Sequence, residues 1–324
     1  MKKLVCALMV LSLLFSSVTC SQNVKPSNEG YDRKIIRINV MPTYAHAMSH
    51  IIKEKGFLTP YMPNDVIVEW TNINSSPEVR DGLVSGNIDI SISPSLTVIP
   101  AIENGLPLFI VSAHVTNSLG IYSKNPNMQS FQDLANANGI YINSLGSSSM
   151  LATFAMCLEE FEDALYLSNK FIAQDFLVST QAFATEDEIE CIATNFPDSE
   201  KVMQISGVHQ VVDLTPYAQK YDLGNYYIAN AEFYKSNPAL MGAFRSAQKD
   251  ALDFMVNNTD EAAEILAEKF EFDKEIIATE MKSNIPKLEV TGYDKCADLM
   301  YKAGILTNTP KKFSELENYE EIPK

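Results

Sequence analysis

Twice along the chain, short apolar runs alternate with segments of helical spacing, and this repeated alternation limits the fold more than any single motif. In the first series, residues 34–40 (KIIRINV), 65–70, 88–92 and 108–115 read as strands bounded by turn residues. Helices are expected between them. One covers residues 45–55 and stops at Gly56; one opens at Ser76, Pro77 and Glu78 and ends near Gly86; a short one reaches Asn104 and Gly105. From Leu119 the order starts again: a strand at 120–123, a helix capped by Ser130 and running through Ala137, a strand at 140–142, and strand candidates at 171–173, 189–193 and 202–205. Strands alternating with helices predict a sheet covered on both faces, with a ligand crevice at the carboxyl ends of the strands. Two series of similar size predict two lobes, for which 324 residues suffice. After residues 226–229 the chain turns helical at 231–256, with a fresh start at Asn237 and Pro238, then at 260–270, 274–283 and 293–303. The segment 307–324 is charged and aperiodic and reads as a strap.

Within the second series, residues 140–158 (IYINSLGSSSMLATFAMCL) read as strand, polar turn and helix. Glycine lets a backbone approach a ligand, serines supply short hydroxyls, and a helix N-terminus offers unpaired N–H groups. Ser144, Gly146, Ser147, Ser148 and Ser149 are therefore ligand candidates, against the plainer reading of a serine N-cap. Tyr44, Ser93 and Ser95 also follow strands. Tyr44 is expected to form a wall for a planar or apolar ligand, and the two serines either to bond ligand or to cap the next helix. His46 and His50 stand four apart, and His114 could join them, but HAMSH lacks the glutamate of the HExxH pattern and no ligand cluster is near. No metal or cofactor is expected; a pocket hydrogen bond from His46 is. Asn195, after a strand, is a contact candidate from the second series, and Trp70 is expected to pack under the loop that follows it.

The N-terminus carries Lys2 and Lys3, an apolar run over residues 4–15 and small or polar residues up to Cys20, the layout of a secretory signal over residues 1–19. Ser17, Val18, Thr19 and Cys20 resemble a bacterial lipobox, in which the cysteine is lipidated; Ser17 and Thr19 depart from its commonest form, and the alternative is a simply cleaved signal. Residues 20–33 read as a polar tether. Loss of residues 1–19 removes two lysines and takes the net charge from −16 to −18, which argues against nucleic acid and anionic membrane surfaces as partners. Arginine occurs only at Arg33, Arg37, Arg80 and Arg245, so helix N-termini and hydroxyls become the expected hosts for an anion. Cys157, Cys191 and Cys296 are too scattered for a disulfide framework or a metal knuckle and are expected to be buried, with one disulfide left open.

Four segments in order, PTYAHAMSHIIKEKGFL, LVSGNIDISI, SFQDLANANGIYINSLGSSS and NPALMGAFRSAQKDALDFMVNNTDEAAEILAEKF, resemble the substrate-binding proteins of ABC importers. The similarity is strongest to the branch that includes nitrate, sulfonate, taurine and pyrimidine thiamine-precursor binders. It implies a type II periplasmic-binding fold of the α/β class: two lobes, each a sheet flanked by helices, joined by two crossover hinge strands and closing on a ligand. Lobe 1 would be residues 34–116 plus 228–306, and lobe 2 residues 117–227. The implied function is capture of a small solute, of sulfonate, nitrate, taurine or pyrimidine type, for ABC permease subunits, by a monomer held to the membrane through its lipid. An enzyme related to thiamine pyrimidine-precursor synthesis is the alternative within the same fold, and a surface receptor or adhesin a third reading. The residues show no GxSxG turn, clustered cysteines or Walker-type loop.

Overall fold

The computed structural model describes residues 30–73, 76–114, 117–174, 176–186 and 188–316. The expected signal at 1–19, Cys20, nearly all of the tether and the end of the strap lie outside them. The first series forms β1 (Ile35–Asn39), α1 (Ala47–Lys55), β2 (Ile67–Thr71), α2 (Ser76–Ser85), β3 (Ile90–Pro94), α3 (Ser95–Glu103) and β4 (Leu108–His114). The second forms β5 (Leu119–Ser123), β6 (Ile140–Ile142), α4 (Ser148–Phe161), β7 (Phe171–Ala173), α5 (Phe176–Thr185), β8 (Cys191–Asn195), α6 (Asp198–Met203), β9 (His209–Asp213) and α7 (Thr215–Lys220). The chain then returns through β10 (Asn225–Asn230) and ends in α8 (Ala231–Ser236), α9 (Pro238–Asn257), α10 (Thr259–Phe270), α11 (Lys274–Ser283) and α12 (Tyr293–Lys302).

These strands make two sheets of five, ordered β2-β1-β3-β10-β4 and β7-β6-β8-β5-β9. Both follow one plan. In each, the fourth strand of the order is antiparallel to both neighbours, β10 to β3 and β4, and β5 to β8 and β9. In each, that strand is the first one laid down after the chain crosses from the other sheet. Strands buried on both faces read as continuous apolar runs, which is why IVSAH in β4 and IYS in β5 lack alternation.

The core falls into three clusters. One joins Ile36, Ile38, Met48, Ile51 and Ile52 to Phe244 and Ala247 of α9. The largest runs from one sheet to the other, because α3 and α12 pack against α4. Cys157, Cys191 and Cys296 are buried and unpaired, so the disulfide left open by the sequence does not form.

Two readings need correction. Residues 202–205, expected as a strand, belong to α6 and the turn after it; Val202 and Ile205 are three apart, a helical rather than an alternating spacing, and the strand that completes the second sheet is β9 instead. The helix expected from Ser130 through Ala137 contracts to a 3₁₀ turn at Asp133–Asn136, with Asp133 Oδ2 accepting from the amide and hydroxyl of Ser130. The described part of the strap packs on the fold: the rings of Phe313 and Tyr293 lie 5.4 Å apart, and the amide of Lys311 donates to Glu103.

Where the chain crosses between sheets, a segment from α11 onward braces both passages. The buried Glu280 carboxylate accepts from the amide and hydroxyl of Ser118, at 2.9 and 2.7 Å, and Asn284 Nδ2 donates to both Ser118 Oγ and Glu280. Leu288 O accepts from the amide of Ala113, and Thr291 donates to Asp222 on the return passage. Burial pushes the Glu280 carboxyl above its ordinary range, while the bonds from Ser118 and Asn284 act the other way. Replacing Glu280 by Ala removes the acceptor of the half-buried Ser118 amide and hydroxyl, so Glu280→Ala is expected to lower unfolding free energy by about 1–3 kcal/mol in urea titration, with Glu280→Gln recovering part of the loss.

Candidate functional site

A cleft of about 660 Å³ lies between the two sheets, at the carboxyl ends of β1, β3, β6 and β8. Its first wall begins where β1 ends. Thr43 is extended, and the amide of His46 returns to the Thr43 carbonyl at 2.9 Å, which forms the single 3₁₀ turn Tyr44–His46 ahead of α1. Tyr44 and His46 therefore point inward, each only 2% exposed. The Tyr44 ring meets Phe196 of the opposite wall edge-on at 4.8 Å, and burial raises its hydroxyl pKa. Tyr44 thus joins the two walls at the base of the cleft.

His46 carries an Nδ1 with no hydrogen-bond partner. Burial, with His114 and His50 adding to it, pushes the ring down to about 3. His114, at the end of β4, is buried with both ring nitrogens unpartnered and is pushed by burial to about 4, but it does not line the cleft. His50 Nε2 donates to Met41 O at 2.9 Å, and the ring packs edge-on to Phe270. The spacing of His46 and His50 suggested one helix face; the 3₁₀ turn breaks that register, because His46 precedes α1 and His50 lies within it. Among the described residues no group of histidine, cysteine or carboxylate side chains is arranged to hold a metal.

The second wall is the 140–158 stretch. β6 ends at Ile142, and Asn143, Ser144, Leu145, Gly146, Ser147 and Ser148 line the cleft. Gly146 has φ +125°, a conformation that L side chains rarely adopt. The turn closes when the amide of Ser147 donates to Ser144 O, and Ser147 Oγ then caps α4 by accepting from the amide of Met150. The plain capping reading of this serine therefore holds, and the same geometry leaves the amides of Ser148 and Ser149 without acceptors inside the helix. Ser149 itself is buried and falls outside the cleft lining. So does Ser95, which is also buried, whereas Ser93 and Asn195 line the cleft. Trp70 also lies elsewhere, with the Lys53 ammonium over its ring.

Several lining residues escaped sequence reasoning, among them Arg80, Lys201 and Asn117. Arg80, on α2, and Lys201, on α6, bring cations to the cleft from opposite walls, Arg80 bonded to Asp81 and Lys201 3.5 Å from Asp198. Burial raises the carboxyl of Asp198, with Lys201 opposing. Asn117 lies on the passage between β4 and β5, and is 6% exposed. Its Nδ2 donates to Phe196 O at 3.3 Å, and its Oδ1 has no partner. Scarcity of arginine was a usable signal for Arg80; nothing local distinguished Asn117 from any other polar residue between two strands.

Residues 45–262 match the family model described as NMT1/THI5 like. No curated protein matches the chain. Among solved structures, the chain is similar to the periplasmic aliphatic sulphonate binding protein SsuA from Escherichia coli, with 16% identity, 86% of this chain and 90% of that chain covered, and a TM-score of 0.69. It is similar to a putative periplasmic sulfonate-binding protein from Methylobacillus flagellatus at 18% identity, with coverage of 87% and 90% and a TM-score of 0.68. It is also similar to the zinc-bound ligand-binding component of an ABC-type import system from Staphylococcus aureus at 14% identity, with coverage of 90% and 99% and a TM-score of 0.67. Two mixed sheets flanked by helices are the periplasmic-binding-protein fold of these structures.

The two buried histidines make stability depend on pH with a definite sign. Their folded pKa values lie below the ordinary 6.5, so their contribution is complete above about pH 6.5 and is lost as pH falls toward 4. Each costs about 1.4 kcal/mol per pH unit in that window. The raised carboxyls of Asp89, Asp198 and Glu280 act in the opposite direction. The contribution is isolated by comparing urea midpoints of the native protein and His114→Phe at about pH 7.5 and pH 5: the variant is expected to lose less stability on acidification. A second substitution tests the turn: Gly146→Ala is expected to lower thermal stability by about 1 kcal/mol or more through backbone strain, since open space surrounds the position.

Proposed function

The chain belongs to the NMT1/THI5-like family, and from that premise we propose that it is an extracytoplasmic solute-binding protein that closes two lobes on a small molecule and presents it to the permease subunits of an ABC importer. The observation that carries this reading is the cleft floor, where His46 Nδ1 and Asn117 Oδ1 are buried and unpaired between walls supplied by both sheets. A buried polar atom without a partner costs free energy comparable to a lost hydrogen bond, so a rearrangement of the walls around a solute that gives either atom a partner recovers that cost. A ligand that touches both walls favours the closed arrangement by its differential contacts, and a permease can read that arrangement.

Among the described residues no cysteine lines the cleft. Burial pushes the thiols of Cys157, Cys191 and Cys296 up to about 12, 11 and 12, so none offers a ready thiolate. Export and a lipid anchor at Cys20 complete the proposal and rest on the N-terminal sequence. Tyr44, His46, Ser93, Ser144, Gly146, Ser147, Ser148 and Asn195 are the proposed contacts, now joined by Asn117, Arg80 and Lys201.

The direct test is a thermal-shift panel on the purified protein, containing sulfonates, pyrimidines, amino acids and oxyanions. A true ligand at a hundred times its Kd adds about 2.7 kcal/mol to unfolding, a shift of several degrees. No shift across the panel would overturn the binding reading. The anchor is tested separately: Cys20→Ala is expected to move the protein from the membrane fraction to the soluble one.

A further inference from the structure

Phe196 stands in one lobe and packs in the other. It follows β8 of the second sheet, yet its side chain, 2% exposed, belongs to the apolar cluster that joins Met48 and Ile52 of α1 to Phe244 of α9. Among the described residues from Asn117 to Gly224, it is the only member of that cluster. Its ring meets Tyr44 edge-on at 4.8 Å and Phe272 at a tilt, 6.1 Å away. The backbone of the same residue is held from the other side. The Phe196 amide donates to Ser118 O at 2.9 Å, and Phe196 O accepts from Asn195 Nδ2 at 3.0 Å and Asn117 Nδ2 at 3.3 Å.

Tyr44, Asn117 and Asn195 all line the cleft and share Phe196 as a direct neighbour. Glu280 reaches the same passage through Ser118, but it does not line the cleft. A close-packed interior leaves a buried ring no second seat, so a side chain of one lobe enclosed in the core of the other fixes where the two meet. We propose that Phe196 is a positioning residue for the cleft: its ring keys the second lobe into the core of the first and so sets Tyr44, Asn117 and Asn195 relative to one another. Contacts placed in advance need not be ordered when a solute arrives, which lowers the cost of binding. The role of those three residues as solute contacts rests on the solute-binding reading above; the keying of the lobes does not.

The first measurement needs no solute. Phe196 also lines a second cavity, of about 460 Å³, which Gln210 of β9 and Thr279 of α11 line from opposite lobes, both exposed. Cysteines placed at these two positions in the exported Cys20→Ala protein carry spin labels, since the three thiols of the folded protein are buried. Pulsed electron paramagnetic resonance then reads the distance between the labels. One narrow distance is expected in this parent. Phe196→Ala is expected to widen the distribution at least about twofold, and Phe196→Val, which keeps part of the packing, to widen it less and to carry the test if the alanine variant does not fold. Phe244→Ala and Phe244→Val are the matched controls, because they empty the same cluster from within the first lobe. They are expected to lose stability and keep the parent distance. A parent-like distance in the Phe196 variants overturns the inference, and so does equal widening in the Phe244 variants, which makes the effect one of core damage. The second measurement repeats the thermal-shift panel on the two valine variants. A compound that raises the native melting temperature is expected to shift Phe244→Val by the same amount and Phe196→Val by less than about half of it; equal shifts in the two variants overturn the positioning role. A panel without any shift overturns solute binding, and the label distances still decide the keying.

Discussion

Each sheet holds in its fourth position a strand that has just arrived from the other one. β5 and β10 are bonded antiparallel on both sides, so neither can leave its lobe without breaking two ladders. The two passages between lobes are thereby fixed at both ends. This is why the strand ends that line the cleft present side chains with defined directions.

The hydrogen bonds around Glu280 fall on those same connections. A carboxylate from the C-terminal helices holds Ser118, and Thr291 holds Asp222, so one stretch of chain touches both passages. The interlobe angle is thus set by residues remote in sequence from either passage. The apolar packing of α3 and α12 on α4 adds a non-directional contact between lobes. Directional bonds at the passages and apolar contact at α4 together hold the two lobes on either side of the cleft.

Much of this was legible in the chain itself, and the limits have physical causes. Strong apolar runs such as KIIRINV and the glycine stop at Gly56 located their elements because burial on a sheet and left-handed caps demand particular residues. The serine turn was found because Gly146 and Ser147 have local jobs, a positive φ and a helix cap. Residues 202–205 misled because a short apolar pair satisfies either period, and only the pairing of β9 with β5 decides between them. Ser95 and Ser149 followed the same local logic as Ser93 and Ser148, yet a turn of helix rotates them into the core. Asn117 was invisible for a different reason: its significance depends on the carbonyl of Phe196, 79 residues away.

The three thiols of the folded lobes are unpaired and buried within the largest apolar cluster. Nothing in either sheet, in the passages between them or in the brace relies on a covalent cross-link among Cys157, Cys191 and Cys296. The lobes therefore hold their shape with these three thiols reduced, through burial, hydrogen bonds and ion pairs, with no call on the machinery that pairs cysteines.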